Sequence, residues 1–239
     1  MKKGSIIIVT LALTLMAASC QKWEIARITE PGVSNELADL RKTTITNLNY
    51  DLTFEISENA NEDIPSEILI SFDFNRVGDY PFVVDFKEKA EMLHSVELNN
   101  VNCDYLFENE HIIIPSSLLP EGRNSIRIKF SAGKQSLNRR DNFMYTLLVP
   151  DRARTLFPCF DQPDLKASYI LTLSVPNKWK AVANSPVNES VTSADNQTIT
   201  YLFRPTEPLS TYLFSFVAGE FEKAEKRDET GRTIGLYHR

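Results

Sequence analysis

Metal-binding side chains are scarce in this sequence. Its 239 residues include 3 histidines and 3 cysteines. None of His94, His111 and His238 belongs to an H-E-x-x-H pair, and none has a second histidine within one helical turn. Catalytic zinc usually needs three protein ligands and an open position. We therefore expect no catalytic metal site in residues 1–239, and we expect the histidines to be surface or structural.

Motifs of nucleophilic and nucleotide chemistry are also lacking. The sequence has no G-x-S-x-G elbow, no phosphate-binding loop and no paired Cys/His arrangement. Positive charge is in deficit, since 26 Lys and Arg stand against 32 Asp and Glu, for a formal net charge of −6. This balance argues against nucleic acid as a partner and against electrostatic attachment to anionic lipid. Taken alone, this chemistry indicates a binding or structural module.

No apolar run is long enough to cross a membrane as a helix. The run from Ile6 to Ala18 follows a positive start at Lys2 and Lys3, and it leads through small residues into Cys20. The order Met16-Ala-Ala-Ser-Cys20 resembles a bacterial lipobox. Residues 1–19 are therefore predicted to be a lipoprotein signal peptide, cut after Ser19, with Cys20 acylated and the protein lipid-anchored in the bacterial cell envelope. The alternative is an ordinary signal peptide with an incidental cysteine.

Two regions follow the predicted cleavage site. Residues 20–42 are mostly polar and are predicted to be a lipidated tether, in which Ser34 caps a short helical turn over residues 35–41. Residues 43–239 form the predicted folded domain. Cys103 and Cys159 could pair in an oxidising compartment, but nothing in the sequence places them together, and two buried free thiols are favoured.

From Thr43 onward, apolar and polar residues alternate with a period of two. Alternation places one face of each strand on a core and the other toward water. Turn signals such as Gly78-Asp79, Pro120-Glu-Gly122 and Asp195-Asn196 separate the runs. The prediction is an all-β, antiparallel, sandwich-like fold. The predicted inward-facing residues are Tyr50, Leu52, Phe54, Ile56, Ile68, Ile70, Phe72, Phe74, Phe82, Val84, Phe86, Ile112, Ile114, Ile126, Ile128, Phe130, Leu171, Leu173, Val175, Ile199, Tyr201, Phe203, Tyr212, Phe214, Phe216 and Ala218.

One dense motif changes the interpretation of function. It begins Arg154-Thr-Leu-Phe-Pro-Cys-Phe-Asp-Gln-Pro-Asp-Leu-Lys-Ala167 and continues to Val187. This run resembles the N-terminal domain of the aminopeptidase N family of zinc metallopeptidases, the gluzincins that include leukotriene hydrolase, and the resemblance covers about residues 43–239. It implies a saddle-like β domain whose zinc-binding helix lies in the next domain. Zinc is thus implied for a full-length enzyme and not for this chain, which should be inactive alone.

The motif also has a local physical interpretation. Pro158 and Pro163 flank a segment that cannot pair continuously as a central strand. Asp161 can accept hydrogen bonds from nearby backbone N–H groups, as Asx residues do in turns. We therefore interpret Arg154, Asp161 and Lys166 as scaffold residues.

The chain departs from the family pattern at one place. The family usually carries Thr-Gln-x-Glu-Pro shortly before the Arg, and its Gln and Glu help to hold the free α-amine of the substrate. Counting back from Arg154 places Leu147 at the Gln position and Val149 at the Glu position. Aliphatic side chains cannot anchor an ammonium group. A shifted loop could bring Asp151 into this role, or acids of the missing domain could supply it.

Two hypotheses for function remain. The first is the non-catalytic N-terminal β domain of a membrane-tethered zinc aminopeptidase, which helps to wall the cleft for a peptide substrate. The second is a stand-alone surface lipoprotein that binds a protein or a glycan. In both cases the membrane is reached through the lipid anchor, and nucleic acid is not a partner.

Overall fold

The structure of the protein is a computed structural model that describes residues 25–239. The predicted signal peptide and the lipidation site at Cys20 lie outside the described residues. Residues 25–28 are helical, and helix α1 spans Asn35–Thr44. Seventeen strands follow: β1 Ile45–Glu55, β2 Pro65–Phe74, β3 Phe82–Asp85, β4 Leu93–Leu98, β5 Val101–Asn102, β6 Leu106–Glu108, β7 His111–Ile114, β8 Gly122–Ser131, β9 Leu137–Arg140, β10 Phe143–Thr146, β11 Ser168–Pro176, β12 Lys180–Ala183, β13 Val187–Thr192, β14 Thr198–Phe203, β15 Phe216–Gly219, β16 Glu222–Arg227 and β17 Thr233–His238.

Helix α1 begins where the sequence places a cap. The Ser34 hydroxyl accepts the N–H of Leu37 at 3.1 Å, which satisfies one of the free donors of the first turn. The helix continues to Thr44, beyond the predicted turn, and buries Leu37 and Arg41 against the domain. Part of the stretch predicted to be a tether, residues 20–42, thus lies in a helix that packs on the domain.

The strands form one large sheet and three small ones. The eight-stranded sheet has the order β13-β14-β11-β1-β2-β8-β4-β5, and the smaller sheets are β12-β15-β10-β9, β3-β7-β6 and β16-β17. All but one of the pairings are antiparallel: β1 and β11 run parallel, with Tyr50 opposite Tyr169. Alternation has the same period in both pairings, so it cannot predict strand direction.

The core lies between the eight-stranded sheet and two of the smaller sheets. Phe54 of β1 contacts Phe216 of β15 with ring centroids 5.3 Å apart, and Phe72 of β2 stacks on Phe82 of β3 at 4.9 Å. The mostly β fold and its packed sheets confirm the predicted fold class. Nearly all of the predicted inward residues are buried, while Ile199, Tyr201 and Tyr212 are half-buried.

The exit segment differs from the predicted strand. Residues Thr211–Leu213 form a 3-10 turn, and β15 begins only at Phe216. Phe214 is nevertheless 2% exposed, as the alternation predicts. The predicted turns hold: Gly78, Gly122 and Asn196 all have positive φ, a backbone conformation that favours glycine and asparagine.

Candidate functional site

The first part of the Arg154 motif, up to residue 162, forms a buried turn that bridges to the end of β3. Phe157, Cys159 and Phe160 are fully buried, and Cys159 forms an isolated bridge with Asp85 at the end of β3. Pro158 is also buried, which ties this stretch into the core. Cys159 and Cys103 are both free, and Cys103 is only half-buried. Burial raises the pKa of the Cys159 thiol well above its usual range, which makes it an inert packing group.

Asp161 fastens this turn by hydrogen bonds. Its Oδ2 accepts the backbone N–H of Arg154 at 3.1 Å, and its Oδ1 accepts the Thr211 hydroxyl at 2.7 Å. Burial raises the pKa of the Asp161 carboxyl, even though both hydrogen bonds act to lower it. The turn is thus joined to the segment that leads into β15.

The other polar residues of the motif differ in exposure. The Arg154 guanidinium is 10% exposed and lies 3.3 Å from Asp151, 3.6 Å from Glu110 and 3.7 Å from Asp161. Pro163 and Lys166 are exposed at the surface. The structure therefore brings Arg154 and Asp161 together and leaves Lys166 apart from them.

A second charged cluster, which the sequence analysis missed, lies next to this turn. Asp85 is fully buried; its Oδ2 accepts Nη1 of Arg41 at 2.9 Å and the backbone N–H of Asp161 at 2.8 Å. His111 is also fully buried and places Nδ1 3.0 Å from Oδ1 of Asp85. Burial alone would raise the pKa of the Asp85 carboxyl, but Arg41 and His111 outweigh it and lower the pKa to about 2.

Little in the sequence predicts this cluster. Arg41 lies four residues after Leu37, on the buried side of α1, and this helical spacing is its only local signal. Asp85 is 44 residues away from Arg41 along the chain and is the last residue of the fully buried strand β3. No pattern within one element pairs such residues.

Leu147 and Val149, which the sequence predicts to stand at the positions of the amine-anchoring pair, lie on the surface. Leu147 is 49% exposed and Val149 is 53% exposed, whereas Thr146 and Leu148 between and beside them are buried. The alternation of β10 thus continues past the end of the strand. Asp151, on the same loop, has a side chain that is 60% exposed.

These two residues extend an apolar surface on the four-stranded sheet. We call Phe143, Tyr145, Leu147, Val149 and Val217 the outer apolar face. The rings of Phe143 and Tyr145 stack with centroids 6.4 Å apart, and Val217 pairs directly with Tyr145 across β10 and β15. The guanidinium of Arg239 lies 3.9 Å from the centre of the Phe143 ring, and the exposed part of this face is formed by Tyr145, Leu147 and Val149.

The histidines do not converge on a metal site. His94 is exposed and lies 3.0 Å from the Ser131 hydroxyl, His111 is buried, and His238 is exposed near the C-terminal end of the sequence. Within residues 25–239, no group of three or more His, Cys, Asp and Glu side chains is placed to hold a metal ion. In the same part of the chain, no helix has the length and apolar character needed to cross a membrane.

Comparison with known proteins gives a consistent result. Residues 46–213 match the family described as the Peptidase M1 N-terminal domain. Aminopeptidase N of Streptomyces lividans is 29% identical over 225 residues, covering 87% of this chain and 25% of the relative. Glutamyl aminopeptidase of Sus scrofa is 35% identical over 88 residues, covering 37% of this chain and 9% of the relative.

A solved structure shows the same fold. The crystal structure described as an M1 zinc metallopeptidase from Deinococcus radiodurans superposes with a TM-score of 0.63 at 15% identity, covering 80% of this chain and 46% of that one. The chain therefore spans less than half the length of the relatives it matches.

Proposed function

Because the chain belongs to the Peptidase M1 N-terminal domain family, we propose that it is the non-catalytic β domain of a membrane-tethered zinc aminopeptidase and helps to wall the substrate cleft. The S. lividans relative, named aminopeptidase N, aligns over 87% of the chain and supports this assignment. The removal of N-terminal residues from peptides is the activity proposed for the whole protein.

The outer apolar face is the observation that carries the cleft-wall role. Large apolar side chains that lie together on a surface generally mark a site of contact with a ligand or a neighbouring domain. Tyr145, Leu147 and Val149 are each between 40% and 53% exposed. Two of them occupy the positions at which family members hold the substrate amine.

The chemistry of this wall is apolar contact with the substrate. Leu147 and Val149 offer no acceptor to an ammonium group, whose burial without one is heavily penalised. The exposed carboxylate of Asp151 stands two residues beyond Val149 and can serve as an acceptor from this chain. Acids of a following domain are the other source.

The zinc of such an enzyme does not fit the residues described here. The ligand types exist in the chain, but no three of them are gathered in residues 25–239. We propose, as the family resemblance implies, that the ion and its Lewis-acid chemistry belong to a following domain and that this chain contributes substrate contacts.

A matched pair of substitutions tests the wall. Leu147→Lys, in the full-length protein, should lower kcat/KM for peptides by several-fold, because a charged chain replaces an apolar contact. Val191→Lys is the control, since Val191 is similarly exposed at 56% but lies on β13 of the large sheet. Equal kcat/KM for Leu147→Lys and the unmodified protein would remove Leu147 from the wall.

The remainder of the proposal has two direct tests. Cys20→Ala should leave the precursor without acyl mass and move the protein out of the membrane fraction; a variant that stays acylated and membrane-bound would contradict the lipobox.

The open reading frame beyond Arg239 should encode H-E-x-x-H followed by Glu after 18 residues. A stop codon there would favour the stand-alone binding lipoprotein instead.

A further inference from the structure

The N-terminal segment is fixed to the domain by buried charge. Arg41 on α1 donates through Nη1 to Asp85 at 2.9 Å and through Nη2 to the carbonyl oxygen of Val83 at 2.9 Å. Its guanidinium also lies 5.1 Å from the centre of the Phe160 ring. Because Arg41 and Asp85 are almost wholly buried, separating them would leave an unpaired charge in the core. Helix α1 is therefore held rigidly.

Contacts upstream of the helix extend this attachment toward the N-terminus. The His111 ring lies with Nε2 2.9 Å from the carbonyl oxygen of Glu30, and the Asn109 amide donates to the carbonyl oxygen of Thr29 at 3.0 Å. Ile28 is 2% exposed and packs with Leu37 and Val83. The chain is thus attached to the domain from residue 28 onward.

The fixed segment starts very close to the predicted lipid anchor. Five Cα–Cα steps separate Cys20 from Ile25. Whatever conformation these residues adopt, a chain spans no more than about 3.6 Å per residue, or about 18 Å in all. The end of the domain that carries Ile28 must then stay within a few nanometres of the acyl chains.

From this geometry we propose that the α1 end of the domain faces the lipid bilayer that carries the anchor, with the opposite end of β1 turned away from it. The inference rests on the proposed acylation of Cys20. The membrane-proximal end comprises Ile28, Leu40 and Val77, which line one surface cavity beside α1. Without residues 1–19, which carry Lys2 and Lys3, 24 Lys and Arg stand against 32 Asp and Glu, a net charge of −8. This charge gives the lipidated protein no attraction to anionic lipid, so the short tether sets the orientation.

The far end of the domain is defined by β1. This strand has 11 residues, which at about 3.3 Å each carries the chain roughly 35 Å away from α1. The loop of residues 57–62 follows it. Arg139 holds this loop by donating to the carbonyl oxygens of Ser57, Asn59 and Glu62, each at 2.8 Å. A label on this loop therefore reports a fixed position.

Energy transfer from two labelled positions tests the orientation. Lipidated protein would be purified from envelopes and inserted into phosphatidylethanolamine–phosphatidylglycerol vesicles carrying a headgroup acceptor dye. Donors would be placed at Val77→Cys or Asn61→Cys, both exposed, in a Cys103→Ser background because Cys103 is partly accessible. With about 35 Å between the two ends, we expect transfer from position 77 to be at least about twofold higher.

A tether extension is the matched control. Twenty Gly and Ser residues inserted between Glu24 and Ile25 add a flexible span of about 25 Å and should sharply reduce transfer from position 77. In protein that mass spectrometry shows to be acylated, either of two results overturns the orientation. One is equal energy transfer from positions 77 and 61, and the other is transfer from position 77 that the insertion does not change. Protein without acyl mass on Cys20 overturns the anchor and the orientation with it.

Discussion

Phe214 joins the buried motif to the large sheet. Its ring stacks on Tyr169 of β11 with centroids 4.8 Å apart and meets Phe157 edge-on at 5.6 Å. Aromatic pairs in such arrangements contribute beyond their buried area. Phe214 therefore links β11, the neighbour of β1 in the eight-stranded sheet, with the turn that Asp161 fastens.

Removing this ring should be costly. We expect Phe214→Ala to lower the free energy of unfolding by about 3–5 kcal/mol, the usual range for truncating a buried aromatic residue. Leu213→Ala is the control, because Leu213 is 49% exposed, and it should change stability by less than about 0.5 kcal/mol. Urea denaturation of both variants checks the difference. A loss below about 1 kcal/mol for Phe214→Ala would contradict its place in the core.

Leu147 and Val149, which the sequence comparison predicts to stand at the family's amine-anchoring positions, allow a gain-of-function test. Because Leu147 and Val149 are half exposed, the double variant Leu147→Gln, Val149→Glu should fold, with no unpaired charge forced into the core. In the full-length protein it should raise kcat/KM for substrates with a free N-terminus, since a carboxylate partner attracts an ammonium group and methyl groups do not. N-acetylated substrates provide the comparison. Unchanged discrimination by a folded variant would show that this segment does not contact the amine.

At the scale of elements, α1 depends on a charge held in the core. Asp85 accepts hydrogen bonds from Arg41 of the helix and from the N–H of Asp161 in the motif turn, and its Oδ1 lies 3.0 Å from Nδ1 of His111 on β7. Three elements distant in sequence are fixed by one carboxylate. Protonation of Asp85 should therefore lower the free energy of unfolding.

The sign of this pH dependence follows from the lowered pKa. The Asp85 pKa is about 2 in the folded protein against an ordinary 3.8, so the unfolded chain binds the proton first as the pH falls. The resulting stabilisation, about 2 kcal/mol, is present above pH 4 and is lost progressively toward pH 2. Asp161, whose pKa is raised, acts in the opposite direction and partly offsets the loss.

Unfolding free energies measured between pH 6 and pH 2 test this dependence. Asp85→Asn should be less stable at neutral pH and should show a shallower decline in acid. Asp104→Asn alters an exposed carboxyl and should follow the unmodified protein. An acid decline that Asp85→Asn leaves unchanged would show that other groups cause it.

The same elements show how far sequence alone could go. The inward faces of β1, β2 and β8 follow from alternation, because side-chain direction is a local property of a strand. The Ser34 cap is equally local. The Arg41–Asp85–His111 cluster was missed because its members are far apart in sequence, and each looks like a surface residue. The exposure of Leu147 and Val149 could not be predicted from the sequence, because the alternation around them is compatible with either face of the strand being inward.

At the scale of the whole molecule, the chain should show no metal chemistry of its own. We expect purified residues 21–239 to retain no stoichiometric zinc after dialysis and to cleave no aminoacyl-arylamide substrate, because the described residues gather no ligand set. Metal analysis and a chelator-controlled assay check both points. One zinc per chain, or hydrolysis that a chelator abolishes, would contradict this expectation.

The parallel pairing of β1 with β11 has a consequence for how the chain is made. Tyr50 and Tyr169 face each other across this pair, so one edge of the central strand has no neighbour until more than a hundred further residues have been synthesised. Contacts of such long range slow folding, and an unpaired strand edge is a template for aggregation. Truncations ending before Pro176 should therefore aggregate, because they lack part of the strand that covers this edge of β1.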